Sequence, residues 1–385
     1  MKKKHRNYKK AHNKIEHVYM HVNTKKPSFQ KAKRKLLKVP IRQIDLTKTK
    51  TLNDIIESFK GMSIQARRIG QCADVYENML SCKKRQTVFL GLAGPLIAGG
   101  LRKVIRDMIE YGLVDVVVST GAILYQDLFM AQNYKLYKGS PYADDSYLRR
   151  HLINRIYDTY VDDEQFIKLD SWVGSFAETL EQRSYSSREF LNCLGNALTD
   201  KNSILRTAAQ RGVPIFAPAL NDSSIGIGLT EYYHNMKKNK QSKCFIIDAI
   251  RDNYELTQIV IQSQSTSAVY VAGGVPKNFI NDSVVMGYIF GKITGGHAYA
   301  FQVTTDVPHW GGLSGSTLDE ATSWGKINVK AHRAMAFVEP TVSLPLIVGS
   351  ILHKDIWKKR KRLEYVWNGD ILKSLKAGKK ISRKL

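Results

Sequence analysis

Cysteine is scarce: Cys72, Cys82, Cys193 and Cys244 are the only four in 385 residues, and no two stand at CxxC spacing. That argues against a disulfide framework or a cysteine zinc site and fits free or buried thiols in a reducing compartment. Long apolar runs are missing as well. No uncharged stretch approaches the roughly 18 residues that a membrane-spanning helix requires. No apolar segment follows the basic start MKKKHRNYKKAHNK, so a secretory signal is not expected. The expectation is a soluble, cytoplasmic protein without membrane contact or metal. The chain also has no internal repeat, no aromatic RNP motif and no GxGxxG fingerprint.

Acidic residues are rare at both ends. Of the net charge of +25, residues 1–44 carry +14 and residues 353–385 carry +9, which leaves +2 for residues 45–352. The chain therefore divides into a basic arm over 1–44, expected to be disordered, a near-neutral α/β catalytic domain over 45–352, and a basic C-terminal tail over 353–385. Such tails are solvated or contact RNA, and the sequence leaves both open. Trp357, Tyr365 and Trp367 punctuate the second tail, as in a helix docked on the body.

What is present is an ordinary globular composition, 43% hydrophobic and 10% aromatic, sufficient for a large core. Residues 51–80 have apolar positions at helical spacing and predict a helical N-terminal region. Short apolar strands then alternate with helical patterns: 87–92, 114–120, 213–220, 243–250, 268–274, 298–304 and 334–340. Strands that are apolar throughout and separated by helices predict an α/β fold, a mostly parallel sheet with helices on both faces. Residues 128–211 read as a helical insertion.

In such a sheet ligands gather at the carboxyl ends of strands. Four of these ends are rich in small or polar residues: Ser119–Ala122, Asn221–Ser224, Gly273–Pro276 and Thr304–Asp306. Each alone reads as a turn or helix cap. Together, on one sheet, they point to a Rossmann-like dinucleotide site, because glycine admits backbone N–H groups close to phosphate. A second feature is TLDEATSWGKI at 317–327. In one reading Thr317 and Glu320 form a capping box, Trp324 anchors the core and Lys326 lies on the surface. In the other, Lys326 beside an indole and near a carboxylate suits imine chemistry, with burial lowering the amine's pKa. Spacing leaves both open.

These residues carry a resemblance. DEATSWGKI, with VPIFAPALNDSSIG, VDVVVSTGA and AGGVPKNFI, resembles deoxyhypusine synthase, in order from about residue 55 to 352. The resemblance implies NAD as cofactor, spermidine as aminobutyl donor, a lysine imine as carrier, an acceptor amine and a homotetramer. It implies Lys326 as nucleophile, Trp324 as indole wall and Glu320 as an amine-binding carboxylate. Thr120, Asp222, Gly273, Gly274 and Ser314 match NAD contacts, and Glu339 stands where the family has an aspartate against the ribose.

Several positions depart from the eukaryotic pattern: Asn278 replaces a histidine, Ile227 and Leu313 replace acids, and Tyr125 and Gln126 replace an acidic pair. Gly94 and Pro95 replace a serine and an asparagine. The pattern resembles the bacterial deoxyhypusine synthase-like branch, with Asn278, Asp306 and His309 as candidate substrate contacts. A free polyamine is the expected acceptor, and a translation-factor lysine the alternative. A non-catalytic NAD- or polyamine-binding protein held on RNA is the reading of another class.

Overall fold

The computed structural model describes residues 26–242 and 244–381. Residues up to Gln43 form a unit of their own, in which Pro27–Leu36 is a helix with no buried residue. The rest of that arm, residues 1–25, lies outside the described residues.

The second unit is built on six parallel strands: β1 (Gln86–Leu92), β2 (Val116–Ser119), β3 (Ile215–Phe216), β4 (Ser265–Val271), β5 (His297–Val303) and β6 (Ile327–Ala336). Their spatial order is β3-β2-β1-β4-β5-β6, all in parallel register. This is the doubly wound Rossmann order, whose switch point falls between β1 and β4. Why every strand residue is apolar follows from the two cores. Val88, Leu90, Leu92 and Val117 enter one, while Phe89, Val116 and Val118 enter the other. The helical N-terminal region is two helices, Leu52–Gly61 and Ile64–Ser81, the first started by a Thr51–Asp54 capping box. Among the described residues no helix is long and apolar enough to cross a membrane. All four cysteines are free thiols.

Three expectations change. Residues 243–250 add no strand to the main sheet: Ile246–Ile247 pairs with Ser184–Tyr185 in a separate two-stranded sheet, and Phe245 packs on Tyr185 and Phe190. Its apolar run marks a buried loop. The segment 128–211 is not purely helical. It carries a small antiparallel sheet of Tyr137–Lys138, Ile153–Ile156 and Thr159–Asp162 between its helices. The last strand starts at Ile327, not at 334, so it begins directly after Lys326.

The C-terminal segment, expected as a docked helix, is a hairpin of β7 (Lys361–Asn368) and β8 (Ile371–Lys380). Trp357 and Leu372 are buried, and Tyr365 donates to Asp115 O at 2.9 Å. Arg85 and Arg360 both pair with Asp115, at 2.6 and 2.8 Å. Burial pushes the Asp115 carboxyl up, and the two guanidinium groups outweigh it and hold it below its ordinary value. The segment is thus part of the body, with its lysines on the outer face.

Candidate functional site

The site is assembled on the helix Gly274–Ile289, which follows β4 at the switch point. Its first turn is made for close approach. A Cβ on Gly273 would lie 2.5 Å from Ser314 Cα, and Gly274 has φ +61°, a left-handed conformation that glycine adopts without a Cβ clash. No side chain caps this helix, nor the helix Gly121–Ala131 after β2, whose N-cap is Thr120. Two uncapped N-termini at the carboxyl ends of strands flanking β1 leave backbone N–H groups available to a phosphate.

Beside them lies a cavity of about 630 Å³, lined in part by Pro95, Gly99, Gly100, Tyr137, Tyr157 and Glu339. Its volume is in the range of small-molecule sites. Glu339 is the N-cap of the helix Pro340–His353 and accepts the Thr341 N–H at 2.8 Å. Its carboxylate therefore combines capping with a position on the cavity wall. Asp222 lies exposed in the turn before the helix Ser224–Lys238, its N–H donating to Ala219 O.

The second and third turns of Gly274–Ile289 hold the lysine. Lys326 Nζ lies 2.9 Å from Asp282 Oδ1 and donates to Asn278 Oδ1 at 3.3 Å. Asn278 Nδ2 in turn donates to Asp282 Oδ2 at 2.8 Å, closing a triangle of three side chains. The Trp324 ring centroid is 5.3 Å from the same Nζ, within cation–π range. Backbone bonds fix the lysine at its root: its N–H donates to Ala321 O at 3.1 Å, and His297 N–H donates to its carbonyl at 3.0 Å. With a side chain only 15% exposed, Lys326 is no surface lysine.

Trp324 is 67% exposed, so the core-anchor reading fails for it; Leu318 and Ala321 are the buried members of that turn. The capping reading keeps one part: Glu320 N–H donates to Thr317 Oγ1 at 2.9 Å at the start of the one-turn helix Glu320–Ser323. The Lys326 amine sits against a carboxylate, which favours the ammonium and does not match the expectation of an amine made neutral by burial.

The lysine whose pKa is lowered by burial is its neighbour. Lys277 is 1% exposed and donates to Leu313 O at 3.2 Å and to Ser316 O at 2.6 Å. Burial brings its amine down to about 8; Glu320 and Asp306 oppose the shift and Lys326 adds to it. Lys277 thereby ties the 313–316 loop, which lies over Gly273, to the helix that holds Lys326. Asp306 accepts the Val307 N–H at 2.9 Å, and His309 lies edge-on to Trp310 in a short exposed turn. Among the described residues, no hydrogen bond or ion pair joins either to Lys326.

Sequence reasoning missed Asp282 and Lys277. The signal for Asp282 was its i+4 spacing from Asn278 on one helix face. Lys277 carried no signal, since nothing local distinguishes a buried lysine from an exposed one.

A Rossmann-ordered sheet, an anion-ready switch point and a lysine held by a carboxylate beneath an indole define an α/β enzyme with a reactive amine. The chain belongs to the deoxyhypusine synthase family, whose model matches residues 54–351, and is accordingly a transferase. A "Deoxyhypusine synthase-like protein" of Chlorobaculum parvum is 42% identical over 339 residues, covering 86% of this chain and 94% of its own. A "Probable deoxyhypusine synthase 2" of Methanosarcina acetivorans is 40% identical over 334 residues, with the same two coverages of 86% and 94%. In fold, the chain is similar to the crystal structure of a "putative deoxyhypusine synthase" from Entamoeba histolytica. The TM-score is 0.55 at 18% identity, covering 80% of this chain and 96% of that one.

Proposed function

We propose that the protein is an NAD-dependent aminobutyltransferase that moves the aminobutyl unit of spermidine through an imine on Lys326 to a free polyamine. The observation that carries the reading is the placement of Lys326 Nζ against Asp282, Asn278 and the Trp324 ring. The residues present fit the cofactor: the uncapped N-termini at Gly121 and Gly274, and the space that Gly273 leaves against Ser314, suit a pyrophosphate. Thr120, Asp222, Gly273, Gly274, Ser314 and Glu339 would hold it.

When bound, NAD would accept a hydride from the carbon beside the donor's secondary amine and return it to the product. Lys326, as the free amine, attacks that carbon, and diaminopropane leaves with the displaced nitrogen. Trp324 walls the imine from water and faces the cationic chain. Glu320 and Asp282 supply the carboxylates that a polycation needs, because an unpaired buried cation costs several kcal/mol. The acceptor amine then takes the unit from Lys326, which is released.

The acceptor follows from the lining. Ile227 and Leu313, at positions where the resemblance expects acids, are 58% and 39% exposed. Fewer charges there favour a short diamine such as putrescine. The archaeal relative's name favours a second acceptor, a lysine of a translation factor. The deciding experiment incubates the pure protein with NAD and spermidine, with putrescine in one reaction and a hypusine-type factor precursor in another. Mass spectrometry is expected to find homospermidine in the first; labelled factor and no free product would reverse the choice. The tetramer that the resemblance implies would cover the exposed rim of Trp310, Leu313 and Trp324, and sedimentation measures it.

A further inference from the structure

An ammonium is no nucleophile, yet Lys326 rests against a carboxylate that stabilises its ammonium. Asp282 is 43% exposed at its side chain and therefore open to a ligand, while Lys326 is 15% exposed. Asn278 bonds both partners and holds the carboxylate in place when either cation occupies it. Of the other charged groups near this cluster, Lys277 is buried against Leu313 and Ser316, and Glu320 and Asp306 act on Lys277. Tyr288 donates to Gly325 O at 3.5 Å, and the buried His297 is bonded to Thr266 at 2.9 Å. Asp282 is thus the one carboxylate in ion-pair contact with Lys326 among the described residues.

We infer that Asp282 is a positioning residue that keeps Lys326 protonated at rest and releases it only when an ammonium group of the substrate takes its place. One carboxylate pairs fully with one cation. When a substrate ammonium docks on Asp282, Lys326 is left beside a second positive charge and a wall of indole, and the charged form loses its support. Its proton passes to solvent, the nitrogen keeps the electron pair, and the amine becomes reactive. The site then arms itself only for a polyamine, which protects Lys326 from stray electrophiles in the empty enzyme.

This inference rests on Lys326 being the reacting amine, but its test needs no turnover. The full-length protein is acylated with trace acetic anhydride across a pH series, and acetylation of Lys326 is read by mass spectrometry. The series is repeated with tetramethylputrescine, a dication whose tertiary amines give no stable amide. In the wild type the dication is expected to lower the pH of half-reaction by about one unit, as loss of an opposite charge does. Asp282→Asn is expected to show that lower value without the dication and no further change with it, and Asp282→Glu to restore the response. A wild-type profile indifferent to the dication, or an Asp282→Asn profile equal to wild type, overturns the inference. Neither result bears on whether Lys326 forms the imine, which borohydride trapping decides separately.

Discussion

Arg360 reaches back from the start of the C-terminal hairpin to place its guanidinium 2.8 Å from Asp115, the residue that leads into β2. Asp115 also holds Arg85 and accepts the Val88 N–H at 2.9 Å, so one carboxylate joins hairpin, β1 and β2. Asp115→Asn leaves two guanidinium groups without their anion, one of them buried, and is expected to cost about 3–5 kcal/mol in urea unfolding near neutral pH. The folded carboxyl lies below its ordinary value, so this stability is present above about pH 4 and is lost as pH falls through the folded value. The gap between wild type and variant should therefore narrow in strong acid.

Cutting the chain at residue 368 should not leave the body intact. It removes β8, whose buried Leu372 is bracketed by hydrogen bonds from Gln258 and Gln262 to the backbone of Asp370 and Leu372. Lower yield and a lowered urea midpoint are expected, by contrast with removal of residues 1–25 only, which should leave the midpoint unchanged.

Lys277 makes stability depend on alkaline pH. The unfolded amine holds its proton to about pH 10.4, whereas the folded one releases it from about 8. Between these values the unfolded state binds more protons, so stability should rise with pH, by up to about 3 kcal/mol from this group. In Lys277→Met that rise should be absent. Urea midpoints at the two ends of the window, compared between the two proteins, check it.

Gly273→Ala should act on cofactor affinity before it acts on chemistry. The added methyl would press on Ser314 Cα, so the 313–316 loop must move. NAD affinity, followed by fluorescence titration, is expected to fall at least about tenfold, while the fold, read by circular dichroism, persists.

Lys326→Arg should abolish the adduct trapped by borohydride with spermidine and NAD, and reduce transfer at least about 100-fold, while NAD still binds. A guanidinium stays charged and cannot form the imine. Near-normal transfer by this variant would remove Lys326 from the mechanism.

The parallel sheet was legible because buried strands are apolar on both faces, as 87–92 and 114–120 are. The 243–250 run looked the same, yet its Phe245 fills a gap between Tyr185 and Phe190, and a short apolar run does not distinguish the two. The hairpin was written in the sequence and misread. Leu363, Tyr365 and Trp367 alternate and run into Asn368-Gly369, the strongest short-range hairpin signal, but the dense lysines drew the reading toward a tail. The lysine's neighbourhood was half legible. Trp324 and Glu320 are close to Lys326 in sequence, whereas Asp282 reaches it across 44 positions through the packing of a helix against the start of β6.

That helix also sets a length. Gly274 faces the phosphate-ready turn and Asp282 holds the lysine amine, eight residues apart on one rigid rod, or about 12 Å at 1.5 Å per residue. A flexible chain with a charge at its end, anchored at one of these stations, presents its reacting carbon to the other only if its number of methylenes suits the spacing. The rise of an α-helix thus becomes a gauge for donors. Homologous polyamines with the same charges and the same carbon chemistry would be sorted by reach alone.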